Sequence, residues 1–171
     1  MIRSKDDKQQ LKSERVKQVF AETARDMIHK NGIEAVSVRK VAEQAGYSLG
    51  TVYNHFKNID ELLWMTRDLM IREIADVLSE QTPEVVSLEA VIESMVKYAD
   101  YYKQNPNAFK FFYFHHLNQE DNHTTSMINE ERHQNQLQAT IGLIVDLKTC
   151  TMSEAVLIYQ AIIYAVHGML M

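Results

Sequence analysis

Apolar residues recur at helical spacing along nearly the whole chain. Val16, Val19, Phe20, Ala24, Met27 and Ile28 form one stripe and Asn31-Gly32 ends it, which predicts a first helix over 13–30. Val38, Val41, Ala42 and Ala45 follow at i, i+3, i+4, i+7 spacing, with Ser37 as N-cap and Gly46 as stop. Ser48 caps a short third helix over 49–56 whose inward residues are Val52 and Phe56. Asn58 and Glu61 have capping-box spacing and open a long helix through Leu62, Thr66, Leu69, Met70, Ile74, Val77 and Leu78, ending before Thr82-Pro83. A fifth helix runs from Ser87 through Leu88, Val91, Ile92, Met95, Val96 and Ala99 to about Lys103, where Asn105-Pro106 breaks it. A sixth is expected over 109–117 and a polar loop over 118–125. Another helix is expected over 127–147, with Leu137, Ile141, Ile144 and Val145 on one face. Thr151 and Glu154, again at capping-box spacing, open the last.

That last helix is apolar nearly all round. Val156, Leu157, Ile158, Ile162, Ile163 and Val166 leave it no wide polar face, so it is expected to pack on its own core and on another subunit. A central helix in a monomer is the competing reading. Gln160, His167 and Gly168 interrupt the apolar stretch 155–171, which falls short of the roughly 20 residues of a comfortable membrane span. No membrane partner is expected. The chain reaches Met171 without a capping signal, leaving room for a natural tail beyond it.

Composition narrows the class. Five Gly and two Pro in 171 residues are too few for a turn-rich all-β protein, so the expected fold is all-α. Residues 1–12 are charged, without the apolar core of a secretory signal, and read as a flexible arm. A single cysteine, Cys150, makes no intrachain disulfide, and a reducing, cytoplasmic setting fits. The net charge of -5 conceals an asymmetry: residues 1–60 hold 11 Lys/Arg against 8 Asp/Glu, net +3, and residues 61–171 hold 7 against 15, net -8. A basic N-terminal third on an acidic body suggests two tasks, one of them approach to a polyanion.

The basic third has the spacing of a helix-turn-helix. Ala42 is small where two helices cross, Gly46 supplies a positive φ in the turn and Val52 is the buried residue of the second helix. The outward set, Ser48, Gly50, Thr51, Tyr53, Asn54 and His55, offers hydrogen-bonding groups and one glycine that lets backbone approach a phosphate. Two amphipathic helices of a bundle, with Tyr53 and His55 as ordinary surface residues, would share this spacing.

The segments Asn31-Gly32, Ser37-Val38-Arg39-Lys40-Val41-Ala42, Ala45-Gly46-Tyr47-Ser48 and above all Gly50-Thr51-Val52-Tyr53-Asn54-His55-Phe56-Lys57-Asn58, then Glu61-Leu62-Leu63, resemble the N-terminal DNA-binding domain of the TetR family of bacterial transcriptional regulators. The resemblance covers about residues 13–63. It implies a three-helix DNA-binding domain over 1–57 and a helical effector-binding and dimerisation domain over 58–171. It further implies a homodimeric regulator, typically a repressor, on an inverted-repeat operator in double-stranded DNA, released when a small molecule binds the body. Carried over by position, Thr51 and Tyr53 contact phosphate or base, His55 contacts phosphate, and Ser37 and Arg39 anchor the backbone or reach a base. Ser48, Leu49, Gly50, Asn54 and Lys57 complete the expected DNA-facing set. Two positions depart from the family pattern. Ile59 stands where a phosphate-binding Lys is usual, leaving Lys57 to take over or the contact to be lost. Leu49 stands where a polar residue is common, to rest on a thymine methyl or to turn inward.

In the body, aromatic residues crowd 98–114. Met65, Met95, Tyr98, Tyr102, Phe109, Phe112, Tyr113 and His116 are the candidate lining of a pocket for an apolar or aromatic effector, with ordinary core as the competing reading. Ile141, Ile144, Val156, Ile158, Ile162, Ile163 and Val166 are the candidate dimer interface. His115, His116, His123 and His133 lack ligand spacing with Cys or carboxylates, so neither metal nor cofactor is expected. A helical carrier or enzyme using the aromatic region is the alternative function. It lacks a Gly-rich phosphate loop, a nucleophile elbow or a metal pair.

Overall fold

The computed structural model describes residues 5–79, 88–118 and 151–170. Among the described residues there are seven α-helices, one 3-10 turn and no strand, in keeping with the expected all-α class. They are α1 (Lys5–Asn31), the 3-10 turn Ile33–Ala35, α2 (Val38–Gln44), α3 (Leu49–Tyr53), α4 (Ile59–Ser79), α5 (Leu88–Gln104), α6 (Pro106–Phe114) and α7 (Met152–Leu170). The helix expected over 127–147 lies outside the described residues, and with it Ile141 and Ile144.

Three helices differ in extent from the sequence reading. α1 begins at Lys5, so the part of the expected arm from Lys5 to Lys12 is helical. Lys8, Gln9, Gln10, Leu11 and Lys12 are good helix formers and continue a helix without an apolar face to bury, and Asp7 sits in its first turn, where a negative charge suits the helix dipole. α3 stops at Tyr53 instead of Phe56: the His55 N–H turns to the Val52 carbonyl, 2.9 Å away, and this tightened turn swings Phe56 under Phe20, ring centroids 6.3 Å apart. α6 starts at Pro106 instead of Phe109, because proline has no N–H to satisfy at a first helical position and its φ is already helical. It ends at Phe114, leaving His115 and His116 in non-helical chain beyond it rather than on a helix.

Packing divides the chain into two compact units. The first takes described residues 5–70 and 107–118, the second 71–79, 88–106 and 151–170. In the first, α1 ends where Gly32 (φ +82°) donates its N–H to the Ile28 carbonyl at 2.9 Å. α2 ends in a Schellman motif: the Tyr47 N–H reaches the Ala42 carbonyl at 2.9 Å and the Gly46 N–H reaches Glu43 at 3.2 Å, with Gly46 at φ +75° as the turn requires. Phe20, Ala24 and Met27 of α1, Val41 and Ala42 of α2, Val52 of α3, Phe56 of the link after it and Leu62 of α4 close one core. α6 joins this unit through Asn107, whose Nδ2 donates to the His29 carbonyl at 3.0 Å. The Trp64 indole N–H donates to the Asn118 carbonyl at 2.7 Å, and the Arg67 guanidinium lies 5.4 Å from both the Trp64 and Phe112 rings.

In the second unit α5 packs on α7. The expected capping box opens α7, with the Thr151 N–H donating to Glu154 at 2.8 Å. That bond, then the Thr151 hydroxyl, hold the Glu154 carboxyl below its ordinary range. Tyr98 meets His167 with Oη to Nε2 at 2.8 Å and rings stacked, and burial pushes the His167 imidazole below its ordinary range. Only Ala155 and Val166 of α7 are buried, while Leu157, Ile158, Ile162, Tyr164 and Met169 are exposed. By length and composition α7 is apolar enough to cross a membrane, with mean hydropathy 1.3.

Candidate nucleic-acid interface

The site is built by two capped helices on the first unit's core. The Ser37 Oγ accepts from the Lys40 N–H at 3.3 Å and fixes the start of α2. The Ser48 Oγ accepts from the Thr51 N–H at 3.1 Å and lies 2.8 Å from the Thr51 hydroxyl, fixing the start of α3. These bonds close the orphan N–H groups of helices too short to hold by propensity alone. Val52 anchors α3 from below, fully buried. The residues between its inward positions are therefore presented outward.

All ten expected DNA-facing residues lie on the surface of this unit. Arg39, Ser48, Leu49, Gly50, Tyr53, Asn54 and Lys57 are exposed, and Ser37, Thr51 and His55 are half-buried. Leu49 does not turn inward: it is 43% exposed, which leaves it available to a thymine methyl. Tyr53 is 55% exposed although its ring is large and apolar. Gly50 has no internal reason to be glycine, since a Cβ built there meets only the Ser48 Oγ, at 3.8 Å. A helical glycine costs about 1 kcal/mol relative to alanine. Within the protein, then, this position would admit a side chain.

Ile59 packs half-buried against the core formed by Phe20, Val52, Phe56 and Leu62. The usual cation is replaced by packing. Beside it the Lys57 N–H donates to Glu61 at 2.6 Å and the Glu61 N–H donates to the Asn58 Oδ1 at 2.9 Å, so the expected cap forms with Glu61 reaching one residue further back than a standard box.

Sequence reasoning missed two contributors. Tyr47 is 39% exposed and rests its ring edge-on against Phe20, centroids 5.1 Å apart, at the mouth of the turn. Ser13 of α1 lies 3.1 Å from His55 Nδ1. Neither has a spacing signal. Both follow from how α1 crosses the two short helices.

The bacterial regulatory proteins, tetR family model matches residues 21–64. The chain carries a TetR-family N-terminal domain. Over 54 residues it is also 39% identical to an uncharacterized HTH-type transcriptional regulator of Haemophilus influenzae, a match covering 32% of this chain and 28% of that protein. The matched TetR segment contains the capped α2 and α3, the positive-φ turn and every residue of the exposed DNA-facing set.

The expected effector-pocket residues fall in both units. Met65, Phe109, Phe112, Tyr113 and His116 belong to the first, Met95, Tyr98 and Tyr102 to the second. Met65 packs against the core under α3, Phe109 and Tyr102 are buried, and Tyr113 and His116 are exposed. Among the described residues no three His, Cys, Asp or Glu side chains gather as a metal-ligand set, and His123, His133 and Cys150 lie outside them.

Proposed function

We propose that the protein is a sequence-specific, DNA-binding transcriptional regulator of the bacterial cytoplasm, working as a homodimeric repressor on an inverted-repeat operator. The observation that carries this reading is the outward face of α3: Gly50 without an internal reason, with Tyr53 and Leu49 left exposed. DNA contact falls to the residues up to Lys57 and effector binding and dimerisation to those beyond. This functional division need not coincide with the packing units, because α4 contributes to both. Ser37, Arg39, Ser48, Thr51, His55 and Lys57 supply backbone contacts, and Leu49, Gly50, Tyr53 and Asn54 lie nearest the base edges.

A second copy covers α7 through Ile158 and Ile162, which are exposed, and the half-buried Val156 and Ile163, while Val166 is buried within its own unit. Ile141 and Ile144 are assigned to the same interface from the apolar face that the sequence leads one to expect over 127–147. An apolar or aromatic effector bound in the helical body beyond Lys57 releases the operator by preferring the arrangement that does not fit DNA. No catalysis or cofactor is assigned.

Selection of random duplex DNA by the purified protein tests the reading. An inverted repeat is the expected product, with affinity falling steeply with salt. Recovery of sequence-independent binding alone overturns it.

A further inference from the structure

A groove of about 690 Å³ opens beside the end of α3, bounded on one side by Asn54 and His55 and on the other by Gln9, Lys12 and Ser13 of α1, with the Glu14 carboxylate also on its wall. Gln9 and Lys12 on its α1 side belong to the stretch 1–12 expected as a flexible arm, which is helical from Lys5. Lys8 and Lys12 are exposed there, four residues apart on one face. Within the groove Ser13 Oγ and His55 Nδ1 are 3.1 Å apart, and the His55 ring is backed by Phe20, centroids 6.4 Å away.

We propose that this groove is a second DNA-phosphate site beside α3, shared between α1 and the His55 already assigned to backbone contact, in which Ser13 positions His55 and Lys12 and Gln9 add donors. The inference rests on the reading of α3 as the DNA-facing helix. A phosphodiester oxygen only accepts hydrogen bonds, so the imidazole serves it only through a nitrogen that bears hydrogen. With the Ser13 hydroxyl donating to Nδ1, the neutral ring carries its hydrogen on Nε2 and presents it to the backbone. Phe20 behind the ring limits its rotation, so the bond sets both tautomer and direction. Asn54 ends α3 beside it, so a strand passing the exposed face of that helix meets the groove next. Glu14 disfavours an anion on its own side and leaves Lys12, Gln9 and His55 as the phosphate-facing wall.

Imidazole nitrogen NMR of the free protein at pH 8 should show His55 with hydrogen on Nε2, shifting to a tautomer mixture in Ser13→Ala and returning in Ser13→Thr. On the duplex recovered by selection, Ser13→Ala should bind about five-fold more weakly, the effect of one net hydrogen bond, with Ser13→Thr restoring affinity. Lys12→Gln should lower the log-log salt slope by about one. Weaker binding by Ser13→Ala with an unchanged tautomer assigns Ser13 to packing and overturns the proposal. So does hydrogen on Nδ1 in the wild type, or an unchanged salt slope in Lys12→Gln. If His55→Ala and Tyr53→Ala lose the duplex while Ser13→Ala and Lys12→Gln keep it, the second site falls and the α3 reading stands. If all four bind as wild type, the α3 reading itself fails, and the second site with it.

Discussion

α3 and α7 treat their surfaces in opposite ways. α3 is five residues long, buries Val52 completely and turns capping hydroxyls, a glycine, a leucine and a tyrosine outward over a closed core. α7 is 19 residues long, buries only Ala155 and Val166 and leaves Leu157, Ile158, Ile162, Tyr164 and Met169 in the open. The first surface costs little to leave in water because its groups are small, polar or scattered. The second is apolar over much of its circumference, and each large aliphatic side chain left exposed forgoes part of the roughly 1.5–3 kcal/mol that full burial supplies. A transient polar partner suits α3. A permanent apolar cover suits α7.

The sharpest way to break this comparison is to change the outward residues of α3 without touching Val52. Thr51→Ala and Tyr53→Ala should each abolish operator binding in a mobility-shift assay while circular dichroism and sedimentation stay as in wild type. Unfolding of either variant would make those residues core and erase the contrast.

The next largest effect is expected on α7. The double substitution Ile158→Glu and Ile162→Glu should convert a sedimenting dimer into a monomer at micromolar concentration with helical content retained, since two charges cannot be buried unpaired at an interface. Wild-type protein that sediments as a monomer, or that floats with lipid vesicles, would show that another copy is not what covers α7.

The smallest effect concerns how α7 is held to α5. The His167 imidazole is pushed below its ordinary value of 6.5 by burial, so the unfolded chain takes up the proton first as pH falls. Its stabilising contribution is therefore complete above about pH 6.5 and is lost as pH drops from there toward the folded-state value. Thermal denaturation from pH 8 to pH 5 should show a decline below 6.5 that His167→Gln flattens. An identical slope in that variant would assign the acid sensitivity elsewhere.

The α3 end was more legible than the rest for a local reason. Caps, the positive-φ turn at Gly46 and the stripe Val38, Val41, Ala42 and Ala45 are set within a few residues of one another, and the structure reproduces them. The capping boxes at Asn58 and Thr151 were readable in the same way. Boundaries were less so where a distant group intervened. α3 is cut short because Phe56 must reach Phe20, and the chain after α6 is held by the bond from Trp64 to Asn118. Periodicity likewise could not separate an apolar helix that is buried from one that is left uncovered, because both have the same sequence pattern.

The sequence by itself determined the all-helical class, the helix starts and stops that depend on neighbouring residues, and the outward identity of the α3 set. Only the tertiary structure decided that Leu49 faces out, that Ile59 exchanges a cation for packing, that Asn107 ties α6 to the last turn of α1, and that Ser13 meets His55 across 42 positions. The physical reason is the range of the interactions. Capping and helical spacing act within one or two turns and are written in adjacent residues, whereas side chains far apart in the chain meet only when the helices that carry them have packed.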